Sequence, residues 1–199
     1  MNAEQQGKPT LAPRPLTPNY RSDLARQQSW VIAGAAGQKI GSAAAAFCRG
    51  AILAGLQTTQ HSDYPVTVKT GHSIADVILS PEPILHMGVT HPDVMIVLFP
   101  EGLAKEHKRI AQMDENATLY ITADLLPVET HARVMALDFN PARQHKMYWG
   151  LMAIARILAE TGTYPVEAYR EAVGHSRAYA AENLAALDAA ANIMLTVVE

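Results

Sequence analysis

The sequence predicts an α/β protein, a three-layer sandwich with a mainly parallel sheet and a C-terminal helical cap. Three observations predict it. The chain has 199 residues, of which 49% are hydrophobic and 18% charged, as in an ordinary globular domain. Short apolar runs, typical of buried strands, alternate with stretches whose apolar residues recur at helical spacing. After Asn140 only the helical pattern remains. Strands that alternate with helices are usually joined by crossovers, which favours a parallel sheet.

The individual elements follow from the same patterns. Pro100 closes the clearest strand, an unbroken apolar run over 94–99, and Gly34 ends the first strand. The predicted strands are 30–33, 57–60, 73–79, 94–99, 118–123 and 133–137. The predicted helices are 38–54, 103–113, a segment from just after Pro141 to near Gly162, 166–173 and 177–191. This order of elements is typical of a Rossmann-like sandwich.

Residues 1–29 differ from the remainder, so we divide the chain into an N-terminal arm, 1–29, and a domain, 30–199. The arm holds four of the twelve prolines and has a charge of +2. It shows no helical or strand period and has too little apolar surface to fold alone. It is either a disordered tail or an extended arm on a partner.

Composition excludes several classes of protein. A formal charge of −3 is unlike that of a general nucleic-acid binder, which needs a basic surface. The lone Cys48 cannot hold an iron–sulfur cluster or a disulfide framework within this chain. The eight histidines show no metal-ligand spacing, so we predict no metal site. No membrane span or signal peptide is visible, and we expect a cytoplasmic protein.

The first candidate site is the segment 34–41, which follows the first strand and opens the first helix. Its members are Gly34, Ala35, Ala36, Gly37, Gln38, Lys39, Ile40 and Gly41. Free backbone N–H groups and the helix dipole favour an anion at such a turn, and Lys39 adds a positive charge. Ala36 stands where a dinucleotide-binding turn has its second glycine, which argues against a conventional NAD site. A tight turn with a purely structural role is the alternative.

The second candidate is a polar loop before the third strand. It contains Lys69, Gly71, His72 and Ser73. Loops at strand ends often carry function, although a solvated surface loop has the same composition. Neither a nucleophile elbow nor a Walker motif occurs anywhere in the chain, and we predict no catalytic residue.

Taken in order, these motifs resemble the gamma subunit of 2-oxoacid:ferredoxin oxidoreductases, the family of the pyruvate, 2-oxoglutarate, branched-chain, indolepyruvate and phenylglyoxylate enzymes. The segment 34–39 stands where that subunit has G-x-G-G-Q-G, and 69–73 stands where it has R-G-G before a Ser. The segment 78–84 resembles its Ser-x-x-Pro-Ile strand end, and 93–97 its D-v-l-v strand. Two family glycines are replaced, by Ala36 and Lys39.

The resemblance implies a subunit that is inactive alone. The family decarboxylates a 2-oxoacid oxidatively with coenzyme A, giving acyl-CoA, carbon dioxide and two electrons, which pass to ferredoxin or, through a flavin subunit, to NAD. Thiamine diphosphate, magnesium and iron–sulfur clusters are implied in partner subunits of alpha, beta and delta type. The gamma chain is implied to cover the active site and, in some members, to bind CoA. The contacts carried over are Gly34, Ala35, Gly37, Gln38, Lys39, Lys69, Gly71 and Ser73.

Three functions remain open from the sequence. The chain is a gamma subunit that contacts CoA, a scaffold subunit of the same complex, or a stand-alone Rossmann-like nucleotide-binding protein. In an obligate assembly we expect the arm 1–29 to lie across a neighbouring subunit rather than to be a free tail.

Overall fold

The computed structural model describes residues 18–64, 71–175 and 179–198. Seven strands form one sheet: β1 (Gln28–Ala35), β2 (Gln57–Asp63), β3 (His72–Ser80), β4 (Val94–Val97), β5 (Thr118–Thr122), β6 (Arg133–Asp138) and β7 (Met194–Val198). Their order across the sheet is β2-β3-β1-β4-β5-β6-β7. All six strands predicted from the sequence are present, and β7 was not predicted.

The sheet is mixed, with a parallel centre. The neighbouring strands β1, β4, β5 and β6 are parallel to one another. The strand β3 runs antiparallel to both β1 and β2, and β7 runs antiparallel to β6. Five of the seven strands therefore point the same way, which confirms the mainly parallel sheet. Because β2 and β3 are joined by a loop of only eight residues, they cannot be linked by a parallel crossover and pair as a hairpin.

Within the described part of the chain, five α-helices cover the two faces of the sheet, which confirms the three-layer sandwich. They are α1 (Ile40–Leu53), α2 (Pro100–Ala111), α3 (Trp149–Thr161), α4 (Val166–Gly174) and α5 (Ala180–Ala189). On one face α1, α3, α4 and α5 pack together, and on the other α2 packs against β1 and β3. The helical end predicted after Asn140 is present, although the chain then returns to the sheet as β7.

Alternating side chains of β1 divide the core between the two faces. Trp30 and Ile32 belong to the cluster under the four-helix layer, whereas Val31 and Ala33 belong to the cluster under α2. All four are fully buried. Both faces of the central strands are thus covered by helices, as expected for the parallel part of an α/β sheet.

The described part of the N-terminal arm contacts the chain's own domain. The backbone N–H groups of Tyr20 and Ser22 donate to the carbonyls that end α1, at 3.2 and 3.1 Å. The Tyr20 hydroxyl donates to Glu171 of α4 at 2.9 Å. Residues 1–17 lie outside the described residues, so the contact with a neighbouring subunit stays a prediction.

Candidate functional site

The turn predicted to bind an anion lies where β1 meets α1. The strand ends at Ala35, the chain turns over 36–39, and the helix begins at Ile40. Gly37 has a φ angle of 83°, a conformation that glycine adopts at no steric cost. Lys39, immediately before the helix, is also left-handed, with a φ angle of 54°. The chain therefore reverses direction within four residues at the carboxyl end of β1.

Two glycines let both neighbouring helices approach β1 closely. A Cβ atom on Gly34 would lie 2.6 Å from the Ile40 side chain, and one on Gly102 of α2 would lie 2.6 Å from the backbone nitrogen of Gly34. Because Gly34 is buried between α1 and α2, the absence of its side chain serves packing. Gly34 and Ala35 are thus buried residues at the end of β1, directly before the turn.

The sheet topology reverses at this position. The neighbouring parallel strands β1 and β4 send their following helices, α1 and α2, to opposite faces of the sheet. The chain then continues from β1 toward β2 on one side, and from β4 toward β5 on the other. In open α/β sheets, ligands bind in the crevice that such a switch point leaves at the carboxyl ends of the strands.

The turn also leaves backbone donors unused. The N–H groups of Ala36 and Gln38 donate to Gly71 and Ala35, at 2.8 and 3.2 Å. The first N–H groups of α1 have no partner within the helix, as at every helix N-terminus. Among the described residues no side chain caps them, and the first turn of α1 contains no acidic residue. Among the residues that the structure describes, no atom lies within 4 Å of a Cβ built on Gly37 or Gly41.

The second predicted segment lies beside the first. In the antiparallel pairing of β1 with β3, Gly34 is opposite Ser73 and Ala35 is opposite His72. The hydrogen bond from Ala36 to Gly71 extends this ladder into the turn. The structure therefore brings Gly71 and Ser73 next to the turn, whereas Lys69 lies outside the described residues.

The carboxylate of Asp63 lies at the start of the loop between β2 and β3 and contacts residues on two other elements. Asp63, the last residue of β2, accepts a hydrogen bond from Lys105 of α2 at 2.8 Å and lies 3.4 Å from Nε2 of His72. The Lys105 hydrogen bond is the largest influence on Asp63, and it holds the pKa of that carboxyl below its usual value. Asp63 is therefore ionised at neutral pH and links the hairpin to α2.

Lys39 points toward aromatic rings. Its ammonium lies 4.7 Å from the centre of the Tyr179 ring and 5.1 Å from that of Tyr148. A cation within about 6 Å of a ring face is attracted by the ring quadrupole. Tyr148 and Tyr179 precede α3 and α5, so Lys39 connects the turn to two further helices. Tyr179 is 62% exposed, which leaves this cluster at the surface.

Trp149, which follows Tyr148, belongs to a second group of aromatic residues at the same edge of the sheet. The ring of Trp149 stacks on Phe139 and on Phe99, with centroid distances of 4.3 and 5.6 Å. Phe99 and Phe139 follow the carboxyl ends of β4 and β6. The ammonium of Lys146 lies 5.3 Å from the centre of the Trp149 ring.

Sequence reasoning missed the contribution of the segment after β6. Tyr148, Trp149 and Tyr179 are distant from the turn along the chain. Only the packing of α1 against α3, and of α3 against α5, brings them near it. The one local signal was a pair of aromatic residues at the start of a helix, beside the basic residue Lys146. Gln38, in contrast, was predicted from the sequence, and its buried Oε1 has no hydrogen-bond partner among the described residues.

Neither a cluster of metal ligands nor a membrane-spanning helix occurs in the described ranges. Among residues 18–64, 71–175 and 179–198, no three His, Cys, Asp or Glu side chains are grouped as metal ligands would be. Within the same ranges, no helix has both the length and the apolar character needed to span a membrane.

Comparison with known proteins identifies the family. A model of the family described as pyruvate ferredoxin/flavodoxin oxidoreductase matches residues 29–193. The chain belongs to this family. The resemblance to 2-oxoacid oxidoreductases stated from the sequence is therefore confirmed. No curated protein matches the sequence significantly.

Solved structures share the fold at low sequence identity. The gamma subunit of keto/oxoacid ferredoxin oxidoreductase from Geobacter sulfurreducens PCA is 23% identical, with a TM-score of 0.65 over 82% of this chain and 95% of that one. Pyruvate oxidoreductase subunit PORC from Thermotoga maritima is 14% identical, with a TM-score of 0.62 over 86% of this chain and 99% of that one. Both are matched along nearly their whole length.

A third similar structure contains ligands. It is 2-oxoglutarate:ferredoxin oxidoreductase from Magnetococcus marinus, with 2-oxoglutarate, coenzyme A and succinyl-CoA bound. It is 16% identical, with a TM-score of 0.70 over 83% of this chain and 30% of that chain. The present family member therefore corresponds in fold to one part of that longer protein.

Proposed function

We propose that this chain is the gamma-type subunit of a cytoplasmic, thiamine diphosphate-dependent 2-oxoacid oxidoreductase and contributes contacts to CoA. The complex converts a 2-oxoacid and CoA into acyl-CoA, carbon dioxide and two electrons, which go to ferredoxin or NAD. Subunits of alpha, beta and delta type hold thiamine diphosphate, magnesium and the iron–sulfur clusters. This chain covers their active site.

The observation that carries the proposal is the crevice at the switch point between β1 and β4. It combines a helix terminus without a capping side chain, two glycines, Gly37 and Gly41, whose added Cβ would meet no described residue within 4 Å, and the adjacent ammonium of Lys39. Diphosphate and phosphate groups are the anions for which a helix N-terminus and a neighbouring cation provide donors and positive charge. CoA carries both groups. The residues of the crevice therefore suit its nucleotide end.

Each predicted contact has a different part in this proposal. Gly37 allows the ligand to approach the backbone, and Lys39 supplies charge. The buried Oε1 of Gln38 accepts a hydrogen bond from the ligand or from water. Gly71 and Ser73 form the wall beside the turn, with Lys69 as a second cation. Gly34 and Ala35 support the turn from beneath.

The departures from the family's glycine pattern are compatible with this proposal. The N–H group of Ala36, which replaces a family glycine, donates to Gly71 rather than facing the crevice. Its methyl group therefore need not stand between a phosphate and the free N–H groups of α1. Those groups begin after Lys39, on the far side of the turn.

The direct test is the dependence of turnover on CoA concentration in the assembled complex. Lys39→Ala and Lys69→Ala should each raise the KM for CoA several-fold, because each removes a cation from a polyanion site, and the KM for the 2-oxoacid should not change. Lys108→Ala is the matched control, since Lys108 is exposed in the last turn of α2, away from the crevice.

Unchanged kinetic constants for CoA in both variants would contradict the CoA contact and favour the scaffold subunit. Binding of NAD or flavin by the chain in isolation would instead favour a stand-alone nucleotide-binding protein.

A further inference from the structure

The strand β7 lies at one edge of the sheet and carries apolar side chains that solvent reaches. Among the described residues it pairs with β6 alone, so the backbone N–H and C=O groups on its other side have no strand partner there. Met194, Val197 and Val198 are 57%, 51% and 37% exposed. Unpaired backbone groups beside exposed apolar side chains form a surface to which a further strand can add.

The opposite edge of the sheet has a different composition. There the strand β2 has the sequence Gln-Thr-Thr-Gln-His-Ser-Asp, which contains no apolar residue and ends with a carboxylate. Polar and charged side chains are a usual means by which proteins keep an edge strand from pairing with another chain. The strand β7, with the sequence Met-Leu-Thr-Val-Val, contains no charged residue. It therefore lacks the protection that β2 has.

The exposed surface of β7 continues onto its neighbour β6. Leu195 packs against the core cluster under the four-helix layer, so Thr196 and Val198 lie on the opposite face of the sheet. On that face they are paired with Ala136 and Val134 of β6. These two residues of β6 are only half-buried, because α2 packs mainly against β1 and β3.

The sequence of β7 is complementary to its own reverse. When two copies run antiparallel with Thr196 opposite Thr196, Met194 lies opposite Val198 and Leu195 lies opposite Val197. Each pair then matches two apolar residues or two threonines, and such cross-strand pairs stabilise a sheet. Within 194–198 no charge lies opposite a like charge. A twofold axis through Thr196 relates the two strands, as in an isologous dimer.

We propose that β7 pairs with β7 of a second copy of this chain, so that the sheets of the two copies join into one. The outer backbone groups of both strands form the hydrogen bonds of the new ladder. The exposed apolar side chains of 194–198 become covered by the same side chains of the second copy. The pairing does not depend on the proposed function, because the crevice between β1 and β4 takes no part in it.

The test measures the mass of the full-length chain as a function of concentration, by analytical ultracentrifugation. We expect the wild type to change from monomer to dimer as its concentration rises. Thr196→Lys should weaken the dimer roughly tenfold, because it places two ammonium groups opposite each other with their Cβ atoms about 5 Å apart. Thr196→Glu should weaken it similarly through two carboxylates.

A mixture of the Thr196→Lys and Thr196→Glu variants tests the register of the pairing. Opposite charges then face each other across the axis, so the mixture should dimerise more strongly than either variant alone. Pairing through another surface predicts no such recovery. Gln57→Lys is the matched control, since it adds the same charge at an exposed position of β2, and it should dimerise as the wild type does.

Hydrogen exchange of the wild type gives a result that does not depend on any variant folding correctly. The amides of 194–198 should exchange more slowly at concentrations where the chain is a dimer, because half of them gain a hydrogen bond to the second copy. Those of β2 should exchange at the same rate at every concentration.

A wild-type chain that stays monomeric at every concentration, or that forms species larger than a dimer, would overturn the inference. So would a dimer that Thr196→Lys does not weaken, no recovery in the mixture, or protection from exchange in β2 instead of β7. If the chain is monomeric alone but the complex requires CoA, the proposed function stands and the pairing is wrong. If the β7 dimer forms while Lys39→Ala and Lys69→Ala leave the KM for CoA unchanged, the pairing stands and the CoA contact is wrong.

Discussion

Replacing Gly102 by alanine tests whether the close approach of α2 to β1 forms the base of the candidate site. The added Cβ would lie 2.6 Å from the backbone nitrogen of Gly34 and 2.7 Å from the carbonyl carbon of Ala33. Both atoms are backbone atoms of buried residues in the central strand β1, so they cannot move aside as the end of a flexible side chain could. The helix itself must shift away from the sheet.

The expected magnitude follows from two opposing effects. Overpacking a buried site costs about 1–3 kcal/mol, and contact with backbone places this substitution near the upper end. Alanine is better than glycine within a helix by about 1 kcal/mol, which offsets part of the loss. The free energy of unfolding should therefore fall by about 2 kcal/mol. For a chain of this length, that corresponds to a decrease in Tm of roughly 4–8 °C.

The assay is urea unfolding of the full-length chain, followed by circular dichroism, with Gly41→Ala as the matched control. A Cβ on Gly41 would meet nothing within 4 Å, and Gly41 also lies in a helix. The control should therefore be as stable as the wild type, or more stable by up to about 1 kcal/mol. Equal stability of Gly102→Ala and Gly41→Ala would refute the close contact between α2 and β1.

Three other contacts give predictions of their own. Gly50→Ala should destabilise the chain by about 1–3 kcal/mol in the same unfolding assay, because its Cβ would lie 2.9 Å from Cα of Tyr169. Burial acts to raise the pKa of Asp93, but hydrogen bonds from Ser29 and Arg26 outweigh it and hold that pKa below its usual value. The stabilising contribution of Asp93 is therefore present at neutral pH and lost as the pH falls through the lowered pKa. Asp93→Asn should lower the free energy of unfolding by about 1–2 kcal/mol at pH 7, and by progressively less in acid. Burial raises the pKa of the Cys48 thiol, so this single cysteine should react with a thiol reagent at pH 8 far more slowly in the folded chain than in urea, and equal rates would contradict its burial.

Most of the sheet was predictable because buried strands leave a local signal. The run closed by Pro100 appears as β4, and the apolar segment that ends near Gly34 appears as β1. The last strand, β7, was missed although Met194–Val198 is apolar, because it is short and follows a helical stretch. Strand direction has no local signal of its own, so the reversal of β3 follows only from the short connection to β2.

The candidate site was predictable only in part, because contacts between segments that are distant along the chain leave no local signal in the sequence. A glycine-containing turn between a strand and a helix can be located from the sequence, and the turn lies where it was predicted. The position of Gly71 and Ser73 beside it depends on the pairing of β1 with β3. The contacts of Lys39 with Tyr148 and Tyr179 depend on how α3 and α5 pack, which no spacing along the chain encodes.

The central claim is that this chain functions within a 2-oxoacid oxidoreductase complex. The most direct measurement is mild affinity purification of the chain from its native cells under nitrogen, followed by intact-complex mass spectrometry and assays for thiamine and iron. We expect larger subunits that carry thiamine diphosphate and iron–sulfur clusters to co-purify, with CoA-dependent oxidation of a 2-oxoacid. Recovery of the chain alone, without thiamine or iron, would contradict the claim.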